Sequence, residues 1–142
     1  PADRWARMAE AVVTAQPETR ILLCGSAPER GVLEEIRQAC GTMPVHNIAG
    51  DLPIPRLLAL LEVAGGMLSV DTGPAHAAAA LGCPLVVLFG AASPALWRPI
   101  GPGQVIAIGG ERGASSRVAD LQVDDVAAAW RRLHLRAVPA AG

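Results

Sequence analysis

Apolar side chains at Trp5, Met8, Ala9, Val12 and Val13 share one face of a helical period, with Asp3 placed to cap the start and Pro17 near the end. The pattern predicts an opening amphipathic helix. The unbroken apolar run Ile21-Leu22-Leu23-Cys24, stopped by Gly25-Ser26, reads as a strand buried on both faces. Pro28 to Cys40 returns to the helical period, with Val32, Leu33 and Ile36 inward and Gly41 just past the end. A weaker strand is expected at Val45 to Ile48. Asp51 and Pro55 then suit the start of a third helix, which Leu57, Leu58, Leu61 and Glu62 carry to Gly65-Gly66.

In the second half, Met67 to Val70 reads as a strand, and an Ala-rich helix runs from Asp71-Thr72-Gly73-Pro74 to Leu81, closed by Gly82. Pro84 to Phe89 is the most hydrophobic strand. Pro94 to Gly103 is a stiff Pro- and Gly-rich connection in which Trp97 is expected to pack; a strand at Gln104 to Ile108 and a polar loop at Gly109 to Arg117 follow. The last helix begins near Asp124, turns Val126, Trp130 and Leu133 inward, and gathers Arg131, Arg132 and Arg136 where cations complement its dipole. The only low-complexity tract is the Ala-rich tail.

Short apolar strands alternating with helices of about three turns specify an α/β fold with a doubly wound, Rossmann-like parallel sheet. Ligands in such folds bind at the carboxyl edge of the strands. The loops at Gly25 to Glu29, Ala49 to Asp51, Asp71 to His76 and Gly90 to Trp97 are therefore the candidate sites.

Length adds a single domain, 1–142, since 142 residues match one hydrophobic core. Composition agrees with helices packed on a parallel sheet: 51% of residues are apolar, mostly small aliphatics, with one Phe and no Tyr. The net charge is −1 and all twelve basic residues are Arg, which excludes a nucleic-acid partner. Cys24, Cys40 and Cys83 are widely spaced and lack neighbours at metal-ligand distance in sequence, so they read as reduced core residues of a cytosolic protein that holds no metal. No stretch approaches the roughly 18 apolar residues of a membrane span, and there is no signal-peptide pattern. The chain starts at Pro1, directly in a helical pattern, as a piece of something longer would.

The strongest chemical signal is Ser69-Val70-Asp71-Thr72-Gly73-Pro74-Ala75-His76 at a strand-to-helix junction. Gly73 lets backbone approach an anion closely, Pro74 suits the first helical turn, and the amides of residues 73 to 76 point out of the helix end. Thr72 can cap the helix or bind a phosphate oxygen. His76 lies on the same helical face, where its ring can donate to a phosphate; the bland alternative is a capped helix carrying a satisfied histidine. Asp71 makes sense as an acceptor for sugar hydroxyls or for backbone at the helix start. In Gly25-Ser26-Ala27-Pro28-Glu29, Glu29 suits ribose or sugar hydroxyls, although an acid in a first turn is stabilising in any case. His46 and His134 read as surface or core histidines. There is no Gly-x-Gly-x-x-Gly fingerprint, no P-loop in a chain without Lys, and no Gly-x-Ser-x-Gly elbow, so no catalytic residue is assigned.

The run Asp71-Thr72-Gly73-Pro74-Ala75-His76, continuing through Ala78-Ala79-Ala80-Leu81-Gly82-Cys83-Pro84 to Leu88-Phe89-Gly90 and then Pro94, Trp97, Pro99 and Gly101, resembles glycosyltransferase family 9. These are the ADP-heptose heptosyltransferases of lipopolysaccharide core synthesis. Arg4-Trp5 resembles the family's basic residue plus Trp at a helix start, and Gly25 with Glu29 its Gly-x-x-x-Glu loop. The resemblance implies the C-terminal, donor-binding half of a two-Rossmann-domain (GT-B) enzyme. It implies that Thr72, Gly73 and His76 contact the donor diphosphate with Asp71 near the sugar, with Pro74, Ser26, Glu29 and Arg4 as further donor-site residues.

Under the same resemblance the donor is ADP-heptose, no cofactor or metal takes part, and the setting is the cytoplasm at the inner face of the inner membrane. A glycolipid acceptor is bound, and the catalytic base supplied, by an N-terminal domain absent from this chain, which alone is expected to be inactive. Asp3 stands where the family usually has a Lys implicated in phosphate binding, so Arg4 would have to take over that role. The family's preceding strand and its Cys-containing segment between residues 109 and 123 are also missing. A sugar-nucleotide epimerase-like half and a non-catalytic Rossmann-like binding domain remain the alternatives.

Overall fold

The computed structural model describes residues 1–138; the last four residues of the Ala-rich tail lie outside them. Its contacts gather into two units, Pro1–Ile54 and Pro55–Gly142. In the first, α1 (Ala2–Ala15) buries Ala6, Met8, Ala9 and Val12, the face the periodicity predicts. Asp3 is not its cap: the helix starts one residue earlier, and Asp3 sits in its first turn with the charge suited to that end. β1 (Ile21–Leu23) pairs in parallel with β2 (Val45–Asn47), Ile21 opposite Val45 and Leu23 opposite Asn47. Between them a 3-10 turn (Ala27–Glu29) leads into α2 (Arg30–Ala39), so the single helix expected from Pro28 is split.

The core of this unit joins Ala6 and Ala9 of α1, Ile36 of α2, Cys40 and Val45, with Ile21 and Leu23 packed against them. Both helices therefore serve the one β1 face that Ile21 and Leu23 share. Leu22 points the other way and is 40% exposed, so β1 is not buried on both faces as its composition suggests. Val32, expected inward on α2, is exposed too. Cys40 is buried, whereas Cys24, expected in the core, is exposed.

In the second unit, β3 (Met67–Val70), β4 (Leu85–Phe89) and β5 (Val105–Gly109) form a parallel sheet in the order β3-β4-β5. Every residue of β4 is buried, as expected of a central strand whose side chains alternate between two covered faces. α3 (Ile54–Val63) places Leu61 against Ala78 and Cys83 and leaves Leu58 exposed. α4 (Gly73–Ala80) is mostly alanine, so it lies close to the sheet: Ala75 and Ala79 pack with Leu85, Val87 and Phe89. α6 (Val123–Arg131) also touches β4 and buries Val126 and Trp130, with Leu133 just beyond. Gly82 follows α4 at φ +72°, the left-handed geometry of a helix terminator.

Arg136 does not serve the dipole of α6, which ends at Arg131. Its guanidinium donates to Leu61 O at 3.1 Å, to Glu62 O and to Leu81 O at 2.6 Å, the carbonyls left open at the ends of α3 and α4. Removing a charged donor from three such carbonyls costs about 2 kcal/mol. Arg136→Ala is thus expected to lower the thermal midpoint by several degrees in a calorimetric scan, and Arg136→Lys, lacking the fork, is expected to recover only part of the loss.

Candidate functional site

Parallel register aligns Val70 with Leu88 and Leu88 with Ile108, so the loops that leave β3, β4 and β5 emerge at one sheet edge. At the end of β3 the Asp71 amide still donates to Leu88 O, at 3.2 Å. The chain then turns through an extended Thr72 (φ −148°, ψ 168°) into α4. Thr72 does not cap the helix with its side chain; its hydroxyl donates back to Val70 O at 3.3 Å and lies 3.4 Å from Ser69 Oγ.

The amides of this turn are not equivalent. Those of Ala75 and His76 donate to Thr72 O at 3.1 and 3.3 Å, and Pro74 has none. Among the described residues, the Gly73 amide meets no partner. The amide cradle expected at residues 73 to 76 contracts accordingly to Gly73 and the helix dipole behind it. A side chain on Gly73 would meet nothing within 4 Å, so the helix start opens onto free space. His76 is not a buried, satisfied histidine: its side chain is 47% exposed, with Nε2 3.3 Å from Asp71 Oδ1. Asp71 thus accepts from a ring nitrogen in the structure, and no side-chain bond from it caps the helix.

The other predicted donor-site residues, Arg4, Ser26 and Glu29, lie in the first unit. Arg4 is half-buried in the first turn of α1 and Asp3 beside it is exposed. The amide and hydroxyl of Ser26 donate to Glu29 Oε2 at 2.8 and 2.6 Å. These bonds hold the Glu29 carboxyl below the usual range, the hydroxyl of Ser26 contributing most. The turn's own geometry accounts for both residues as a helix entry. The loop after β2 is bound to this one: Arg30 donates to Ala49 O at 2.6 Å and Asp51 Oδ1 at 2.8 Å, and Gly50 N to Gly25 O at 2.9 Å.

After β4 the expected stiff loop contains one helical turn, α5 (Pro94–Trp97). Trp97, expected to pack, is 58% exposed beside a more exposed Leu96; the buried anchor of this segment is Pro99. His46 and His134 are both exposed.

Sequence reasoning missed one feature of this edge. Beyond β5 the polar loop folds into a cleft of ≈ 230 Å³, lined in part by Glu111, Arg112, Arg117, Asp120 and Asp125. Asp120 accepts from Arg112 at 3.1 Å and from Arg117 at 3.1 Å, which holds its carboxyl below the usual range, Arg117 first. The spacing of opposite charges at 112, 117 and 120 was the available signal. Three acids against two arginines do not make this cleft attractive to a diphosphate.

Comparison with known proteins gives a consistent picture. The family model "Glycosyltransferase family 9 (heptosyltransferase)" matches residues 1–125. "Lipopolysaccharide heptosyltransferase 3" of Escherichia coli is 42% identical over 94 residues, covering 66% of this chain and 25% of that protein. "Lipooligosaccharide heptosyltransferase 2" of Haemophilus influenzae is 33% identical over 111 residues, covering 70% of this chain and 31% of that protein. The chain thus spans about a quarter to a third of the curated relatives it matches. The solved E. coli ADP-heptose lps heptosyltransferase II superposes with a TM-score of 0.81 at 25% identity, over 92% of this chain and 40% of that one. The glycosyl transferase family 9 structure from Veillonella parvula has a TM-score of 0.79 at 18% identity, over the same shares, and shows the shared fold.

Proposed function

Since the chain belongs to glycosyltransferase family 9, the heptosyltransferases, we propose that it is the nucleotide-sugar-binding part of a transferase moving heptose from ADP-heptose to a lipopolysaccharide-type acceptor. The observation that carries the reading is the open turn at the carboxyl end of β3, where an unpartnered Gly73 amide, the α4 dipole and the exposed His76 ring meet. In this reading the donor diphosphate lies against Gly73, with Thr72 and His76 beside it. The charge that develops on the leaving diphosphate is met by these groups, and no metal or cofactor is invoked. Arg4, Ser26 and Glu29 are carried as donor-site residues on the family resemblance alone. The glycolipid acceptor and the catalytic base are assigned to an N-terminal domain, with the reaction at the cytoplasmic face of the inner membrane. Among the described residues, no helix is long and apolar enough to cross a membrane.

Gly73→Ala tests the site directly. The added methyl meets no protein atom and alanine suits a helical position, so the thermal midpoint is expected to stay within a degree or two of wild type. The same methyl would stand where the diphosphate approaches. ADP affinity measured by calorimetric titration is expected to fall at least about fivefold, roughly 1 kcal/mol. Unchanged ADP binding by a fully folded variant would remove the diphosphate from this turn.

A further inference from the structure

A carboxylate two residues before the glycine that receives a diphosphate is, by charge alone, a repulsive arrangement. The structure gives Asp71 a partner that changes this account: His76 Nε2, 3.3 Å from its Oδ1, with Asp71 the less exposed of the two side chains at 22% against 47%. An ionised carboxylate only accepts, so the ring's hydrogen sits on Nε2, and Nδ1 is left as the nitrogen open to a second partner. In the neutral ring Nδ1 bears a lone pair and turns a phosphate oxygen away. It becomes a donor only when the ring takes up a second proton.

We infer that Asp71 and His76 act as one unit in which a His76 imidazolium bridges the Asp71 carboxylate and the donor diphosphate, so that the diphosphate binds together with a proton. The inference rests on the donor-site reading above. The proton comes from solvent and goes to Nδ1, while the hydrogen on Nε2 stays with Asp71; no covalent bond between heavy atoms forms or breaks. Two facing negative charges become an alternating row of carboxylate, imidazolium and diphosphate. Asp71 is then a positioning residue, acting through His76. A ligand without phosphates gains nothing from the bridge and binds without the proton.

The surroundings leave this pair to set the response. β3 and β4, which pack against α4, carry no ionisable side chain, and α4 itself carries only His76. α3 packs against α4 through Leu61 and Ala78 and brings Arg56 and Glu62, both exposed. At the other end of α4, Arg136 directs its guanidinium to Leu81 O, and nearby Arg98 directs its own to Val105 O.

The test is calorimetric titration of the full chain with ADP-ribose, whose two phosphates are both esterified and keep a constant charge near neutrality. Titration at about pH 7.5 in two buffers of different ionisation enthalpy counts the protons. Wild type is expected to take up a proton on binding, with affinity falling as pH rises by at most about tenfold per pH unit. His76→Gln is expected to bind more weakly, with no uptake and a flat pH profile. Asp71→Asn, which keeps the shape but not the charge, is expected to take up less than half the wild-type amount. Adenosine is expected to bind wild type without uptake. ADP-ribose binding to wild type with no proton uptake, or with the same uptake in His76→Gln, overturns the inference while the donor site stands. No binding of ADP-ribose or ADP at all overturns the donor-site reading and this inference with it. The comparison of wild type with His76→Gln decides the matter even where Asp71→Asn does not fold.

Discussion

Gly101→Ala is expected to lower stability by about 3 kcal/mol or more, and the thermal midpoint by about 10 °C. A Cβ on Gly101 would fall inside the Ala79 carbonyl of α4 and crowd the Ala80 amide, and these are backbone atoms that cannot rotate away. The segment after α5 would have to lift from the helix end. That movement would unseat Pro99, among the fully buried side chains, and disturb the neighbouring approach of Gly103 to the Gly82 backbone. The control is Gly31→Ala in α2, where the new methyl meets nothing within 4 Å. Relief of glycine's helical penalty is expected to raise stability there by roughly 0.5 to 1 kcal/mol. Calorimetric scans of both variants check the pair. A Gly101→Ala protein as stable as wild type would mean that the segment does not rest on α4. Because α4 carries the candidate site at its other end, the damaged protein is also expected to bind ADP less tightly than its residual folded fraction alone explains.

The strand and helix order was legible because the chain writes it in local signals. Unbroken apolar runs such as Leu85 to Phe89 can only be satisfied between two layers, and Gly41, Gly82 and the prolines punctuate the helices. What stayed hidden depends on partners far away in sequence. Leu22 looks like any core residue of a parallel strand, yet α1 and α2 both pack on the face that Ile21 and Leu23 share. Trp97 has the composition of a packing residue, but the buried anchor of its segment is Pro99. Arg136 lies near the last helix in sequence and caps two others, because its reach to Leu61, Glu62 and Leu81 exists only once α3 and α4 are side by side. The motif from Asp71 to His76 was visible as a strand-to-helix turn. The bond between its first and last residues was not, since five positions apart across a turn is no regular helical neighbour relation.

That bond bears on what His76→Ala does. A ring that is half exposed, with a single side-chain partner at the surface, contributes little to folding, so the variant is expected to melt within about 2 °C of wild type. Binding is where the loss should appear. A hydrogen bond to a charged group is worth about 1.5 to 3 kcal/mol, so ADP affinity is expected to fall roughly 10- to 150-fold. Adenosine, which has no phosphate to receive the bond, is expected to bind wild type and variant nearly alike. Calorimetric titration of both ligands against both proteins under the same conditions gives the comparison. A histidine that merely braced the helix start would produce the opposite pattern: a lower melting temperature, and equal losses for ADP and adenosine as the whole turn loosens. Equal losses would therefore take His76 out of the diphosphate site. A loss confined to ADP would fix the ring against the phosphates, leaving Asp71 behind it as the group that holds it there.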